Sequence, residues 1–267
     1  MSEPIFIVPH DFTFTADTAL NHAVNISKQI NAKVAIVHIV TKDSEKNEAE
    51  QKLQNLIKNH PEQNIEMNAH VIQGSIFTDI GKLAEELNAS AIIMGTHGAK
   101  GMQKVFGSFA MKVIISTTVP FMVVQDNAEV NTLNNIVYAI DSSLESLQIA
   151  SLAGNIAKLY NSKVHIIAGK ETDAKYASKV KMNLTALSKK LNTLHVNHHL
   201  ELIDTKGSWL DSIIDYANKV NGDMFAIGYD SDKFFASNDK FAQSLLFNKA
   251  KIPTLIINSK NITKSDY

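Results

Sequence analysis

The run from Ile136 to Ile140, closed by Asp141, repeats Ile7-Val8-Pro9-His10-Asp11 at an offset of 130 residues, and Asn161-Ser162-Lys163-Val164 repeats Asn31-Ala32-Lys33-Val34 at the same offset. Three residues then enter, after which Gly207-Ser208 answers Gly74-Ser75, Gly228 answers Gly95 and Pro253 answers Pro120 at an offset of 133. Self-similarity at a fixed offset over half a chain marks a tandem duplication, in which each copy buries its own core. The 267 residues therefore read as two domains, 1–127 and 134–267, joined by a polar stretch at 126–134 that carries three asparagines.

Each copy alternates strand and helix patterns. In the first, Ile5 to Val8 is a wholly apolar run ended by Pro9, as expected of a strand buried on both faces of a parallel sheet. Thr15 to Ile30 places Leu20, Ala23, Val24, Ser27 and Ile30 at helical spacing, with Thr15 as the expected N-cap. Strands follow at Val34 to Val40, Glu66 to Ile72, Ala91 to Met94 and Phe121 to Gln125, and helices at Ser44 to Asn59, Ile76 to Leu87 and from Phe109 onward. Strict alternation predicts a parallel sheet with helices on both faces, whose ligands bind beyond the carboxyl ends of the strands.

Composition narrows the function. Twenty-six basic and 27 acidic residues give a net charge of -1, which supplies no bulk attraction for nucleic acid or an anionic membrane. The absence of cysteine excludes disulfides, thiolate catalysis and cysteine-ligated metals. With no leader-like segment and no apolar run of membrane-spanning length, a cytoplasmic protein is expected.

The stretch from Met94 to Ser108 carries the chemistry. It reads as strand, glycine-rich loop and helix start: glycines let backbone N–H groups approach an anion, and a helix N-terminus adds unpaired donors and a positive dipole end. That combination suits phosphate, with Ser108 as helix cap or phosphate contact. It is neither a P-loop nor a dinucleotide fingerprint, and a plain connecting loop is the competing reading. The second copy is an internal control of equal length. There Gly98 becomes Ser231, Gly101 becomes Phe234, Gly107 becomes Lys240, Ser108 becomes Phe241 and His97 becomes Asp230. A helix N-terminus contributes about 0.3–1 kcal/mol towards an anion, whereas two like charges at about 4 Å and an effective dielectric near 20 repel by about 4 kcal/mol. One phosphate site per chain, in the first copy, is the expectation.

Taken together, Pro9-His10-Asp11, His38-Ile39 and Met94-Gly95-Thr96-His97-Gly98 through Gly107-Ser108 resemble the universal stress protein family, as two copies in tandem. The resemblance implies two five-stranded, parallel-sheet, Rossmann-like α/β domains of the adenine nucleotide alpha hydrolase-like kind. It implies an intramolecular pseudo-dimer made through the fifth strands, open to further homodimerisation. It also implies that Asp11 contacts ribose, that backbone around Ile39 meets the adenine edge and that Pro9 and Met94 line the base and sugar pocket. Gly95, Gly98, Gly107, Ser108 and the N–H of Phe109 would hold the phosphates. The ligand implied is ATP or AMP, with or without Mg2+. One departure stands out: Gly98 and Gly107 enclose eight residues, Ala99 to Phe106, where the family has nine.

The remaining candidates have plainer readings. His97 either donates to a phosphate oxygen or is a solvated loop histidine. Asp141 reads as a turn cap, His10 and His38 as structural, and Trp209, which matches Ile76, as core. His195 and His199 stand about 13 Å apart on a strand, with His198 on the opposite face, so no metal site is expected. No nucleophile elbow, metal cluster or nucleophile–base pair is present, so the expected function is a non-enzymatic, stress-responsive nucleotide binder. A nucleotide-free scaffold and a weak ATPase are the alternatives.

Overall fold

The computed structural model describes residues 3–96, 106–126, 128, 133–205, 207–229 and 236–258; of 106–109, 145 and 236–239 it describes the backbone only. The chain divides into two units, Met1–Val130 and Asn131–Tyr267.

In the first unit the elements are β1 (Ile5–Pro9), α1 (Phe14–Ile30), β2 (Lys33–Val40), α2 (Lys46–Asn59), β3 (Met67–Gln73), α3 (Asp79–Glu86), β4 (Ala91–Thr96), α4 (Phe106–Ile114) and β5 (Phe121–Gln125). The strands are parallel in the order β3-β2-β1-β4-β5. Ile7, Val8, Val34, Ile36, Ile92 and Ile93 are buried in the sheet, as continuous apolar runs require. Ala19, Leu20, Ala23 and Ser27 form the buried stripe of α1 at helical spacing. Burying one such leucine or isoleucine side chain contributes about 1.5–3 kcal/mol. α1 stops at Asn31, in the left-handed conformation at φ 52°, with its N–H bonded to Ser27 O.

Several boundaries depart from the sequence reading, each for a local reason. The N-cap of α1 is Thr13 rather than Thr15: its hydroxyl accepts the Ala16 N–H, and Thr15 lies inside the helix. α3 begins at Asp79 rather than Ile76 because the Asp79 carboxylate accepts the Ser75 N–H at 2.8 Å and the Ser75 hydroxyl accepts the Phe77 N–H at 3.2 Å. Such side-chain bonds compete with the helical pattern. β4 runs on through Gly95 and Thr96, which pair with Val124 and Gln125.

In the second unit the elements are β6 (Asn135–Ile140), α5 (Glu145–Gln148), α6 (Ala150–Tyr160), β7 (Lys163–Gly169), α7 (Ala174–Thr193), β8 (His198–Ile203), α8 (Trp209–Val220), β9 (Met224–Tyr229), α9 (Ala236–Leu246) and β10 (Thr254–Asn258). Its strands are parallel in the order β8-β7-β6-β9-β10, the same order by position as in the first unit. Asn161 ends α6 in the left-handed conformation at φ 54°, 130 residues after Asn31. No described helix is long and apolar enough to cross a membrane.

Candidate nucleotide cleft

In the first unit β1 has β2 on one side and β4 on the other, so the connections leave its carboxyl end in opposite directions and open a crevice. A cavity of about 370 Å3 occupies that place, within the range of small-ligand sites. Pro9, Asp11, Ile39, Met94 and Gly95, all expected at the site from the sequence, line it. Ile76, Phe77 and Ile80, on and before α3, and Val113 on α4 supply an apolar wall. His97 and Gly98 lie outside the described residues, as do Asp230, Ser231 and Phe234.

Asp11 is exposed at the mouth. Its Oδ1 accepts the Thr13 N–H at 3.2 Å and the Thr13 hydroxyl at 2.6 Å, and that hydroxyl in turn caps α1. The carboxylate thus holds the β1–α1 turn, while Oδ2 has no hydrogen-bond partner among the described residues and faces no such duty. Gly95 answers a packing demand: a Cβ there would stand 2.3 Å from the carbonyl oxygen of Thr15. Glycine lets α1 lie directly on β4.

α4 starts at Phe106, three residues earlier than the sequence suggested. Ser108 is therefore inside the helix and is not its N-cap. Gly107 and Ser108 belong to the first turn, where N–H groups have no intrahelical acceptor and the dipole is positive, while Phe109 follows them as the fourth helical residue. The second unit differs here. Positions 240 and 241, which correspond to Gly107 and Ser108, carry Lys240 and Phe241, and α9 begins at Ala236, three residues earlier in the repeat register than α4.

Other positions in the second unit have also changed. Gly169 stands where Ile39 does, and a Cβ on it would lie 3.7 Å from the Trp209 ring. Trp209 stands where Ile76 does, so an indole takes space bordered by two isoleucines in the first unit. Asp141 Oδ1 accepts the Ser143 N–H at 2.8 Å and the Ser146 hydroxyl at 2.7 Å. Buried Asn183 on α7 donates to the carbonyls of Asp141 and Ser143 at 3.0 and 2.8 Å, closing down the loop.

One group escaped the sequence reading. Thr96, only 5% exposed and at the end of β4, lines the cavity with a hydroxyl that has no hydrogen-bond partner among the described residues. Buried hydroxyls ordinarily find one. His38, read as structural, lines the cavity too. Its Nδ1–H donates to the carbonyl of His10 at 2.6 Å, and the Phe12 ring packs on it with centroids 4.6 Å apart. His10 itself is 3% exposed. Burial lowers its pKa from the ordinary value, and the Asp17 carboxylate opposes that shift.

The three clustered histidines of the second unit are separately engaged. His195 sits in a turn at φ 59°, His198 bonds the Ser188 hydroxyl and the Val196 carbonyl, and His199 bonds Glu201. No group of three metal-ligating side chains occurs among the described residues.

Comparison with known proteins agrees with this geometry. Residues 5–125 match the model of the universal stress protein family. A universal stress protein of Methanocaldococcus jannaschii is 26% identical over 136 residues, 45% of this chain and 80% of that protein. The solved structure of a universal stress protein from Archaeoglobus fulgidus covers 97% of this chain and 99% of its own at 17% identity, with a TM-score of 0.76. A functionally unknown protein from Pseudomonas aeruginosa covers 96% of this chain and 93% of its own at 14% identity, with a TM-score of 0.63. The Rossmann-like fold is shared along nearly the whole chain.

Proposed function

We propose, on the match of residues 5–125 to the universal stress protein family model, that the first unit binds an adenine nucleotide, ATP or AMP. The second unit serves as a structural companion without a phosphate site. The observation that carries this reading is the cavity at the switch point, where Pro9, Asp11, Ile39, Met94 and Gly95 converge beside the first turn of α4.

Each residue has a part. The base lies against the backbone of Ile39 and the apolar wall of Ile76, Phe77 and Ile80. Asp11, through Oδ2, accepts from a ribose hydroxyl. The N–H groups of Gly107 and Ser108 meet phosphate oxygens, helped by the helix dipole. Among the described lining residues the Thr13 hydroxyl beside the Asp11 carboxylate is engaged in capping α1, so we read the role as binding rather than turnover. We read the protein as a stress-response component in the cytoplasm whose bound nucleotide biases conformation or partner choice, which requires unequal affinity for two states.

Titration of a fluorescent ATP analogue into wild type and Gly107→Lys tests this reading. Saturable binding by wild type, weakened at least tenfold in the variant, is the expected result. A wild type without saturable binding leaves the nucleotide-free scaffold in its place.

A further inference from the structure

At the mouth of the cleft the β1–β2 ladder is cut short, and two histidines take over its hydrogen bonds. The last ladder bond runs from the His10 N–H to Val37 O at 2.8 Å. The Val34 N–H donates to Glu66 O on the β3 side and the Val40 carbonyl accepts the Gly74 N–H, so even-numbered residues of β2 face β3 and odd-numbered ones face β1. Ile39 therefore turns its N–H and C=O toward β1. The next ladder rungs would bring the His10 carbonyl to the Ile39 N–H and the Phe12 N–H to the Ile39 carbonyl. Neither partner is free to do so. The His10 carbonyl accepts the His38 Nδ1–H at 2.6 Å, and the Phe12 N–H is donated to Nδ1 of the His10 ring at 3.1 Å. Phe12 is held in the left-handed conformation at φ 62°, which a bulky residue adopts only under constraint.

We propose that His10 is a positioning residue that keeps the N–H and C=O of Ile39 open for the base of the ligand, and that protonating its ring closes that edge. The inference rests on the nucleotide reading above. A ring that accepts at Nδ1 carries its proton at Nε2, where it donates to Asp17 Oδ1 at 3.2 Å. Adding a proton at Nδ1 sets N–H against N–H. The Phe12 amide loses its acceptor, leaves the left-handed turn and takes the Ile39 carbonyl in its place, which extends the ladder by one bond and covers the acceptor of the pair.

The groups around His10 decide the direction. Asp17 on α1 and Asp11 in the turn favour the charged ring, while His38 on β2 and burial disfavour it, and burial is the largest influence. Lys52 on α2 approaches from the far side of the Phe12 ring, 5.8 Å from its centroid. His38 is not an equivalent switch, because its Nδ1 is already a donor and protonation leaves its bond to His10 intact. The open state is the neutral one, so ligand affinity is full above the lowered His10 pKa of the free protein and falls as pH drops through it. Linkage makes the effect reciprocal: bound nucleotide depresses the pKa of His10 further.

The test compares wild type with His10→Asn, whose side-chain oxygen accepts the Phe12 N–H two residues on without titrating. ATP affinity is measured by calorimetry from pH 7.5 to pH 5, where ATP's own protonation is common to both proteins and cancels in the ratio. Wild-type affinity is expected to fall several-fold more than that of the variant, approaching the limit of about tenfold set by a one-unit pKa difference between free and bound protein. Parallel pH profiles overturn the proposal. If neither protein binds ATP at any pH, the nucleotide reading fails, and ligand-free NMR still decides this one. The Phe12 amide resonance must titrate together with the His10 ring in wild type and stay fixed in the variant; a Phe12 amide that ignores His10 protonation overturns it.

Discussion

The carbonyl oxygen of Thr15 lies 2.3 Å from the point where a Cβ on Gly95 would stand. Helix α1 is pressed onto strand β4 at the floor of the cleft, and the Thr15 hydroxyl anchors the same turn to Asp126 after β5. Gly95→Ala is expected to destabilise the chain by about 1–3 kcal/mol, the range for overpacking a close contact, because the atom it meets is backbone and cannot rotate away. Urea denaturation checks it, and a midpoint equal to that of wild type contradicts it.

Thr96 next to it makes the opposite prediction. Its hydroxyl is buried without a partner among the described residues, so Thr96→Val removes an unsatisfied polar group and keeps the shape. Ligand-free stability should rise by about 1 kcal/mol, while ATP affinity should fall if the hydroxyl meets the nucleotide. Thermal melts with and without ATP separate the two effects. A variant less stable than wild type in the absence of ligand shows that the hydroxyl has a structural partner.

His22 gives the fold its own pH dependence. It is buried on α1, its ring bonds the backbone of Ala128, and burial lowers its pKa from 6.5 to about 4. The unfolded chain takes up a proton below pH 6.5 that the folded chain refuses until about pH 4. This contribution is therefore complete above pH 6.5 and is lost as pH falls to about 4. The loss amounts to about 3 kcal/mol, at 1.36 kcal/mol per unit. Denaturation series between pH 7 and pH 4 should show His22→Gln losing correspondingly less stability than wild type.

In the second unit, Asn183→Ala leaves the carbonyls of Asp141 and Ser143 without their donors. A cost of about 1–3 kcal/mol is expected from the equilibrium unfolding of the variant. A neutral outcome means that water replaces the amide and that the loop after β6 is less closed than its hydrogen bonds imply.

The sequence told most about what repeats locally and least about what meets across elements. Apolar runs located the strands, and Pro9, Asp11, Ile39 and Met94 reached the cleft because strand ends carry them there. Thr15 was mistaken for a cap because Thr13 and Thr15 both precede the apolar stripe, and only the Thr13 bonds to Asp11 and Ala16 distinguish them. The start of α4 was misplaced because Phe106-Gly107-Ser108 has the composition of a loop. That Thr96 and the structural His38 line the cavity is not legible in the sequence, for a different reason. A missing partner, or a carbonyl 28 residues away, is a property of the assembled sheet and leaves no trace in the spacing of either residue.

The central claim is an asymmetry: the first unit binds nucleotide in its crevice, and the second, which carries Trp209, Lys240 and Phe241 at the matching positions, does not. Isothermal titration of ATP into the intact chain tests it most directly. One site per chain, weakened at least tenfold by Gly107→Lys and untouched by Trp209→Phe, is the predicted result; two equivalent sites, or a single site whose affinity Gly107→Lys leaves unchanged, would contradict it.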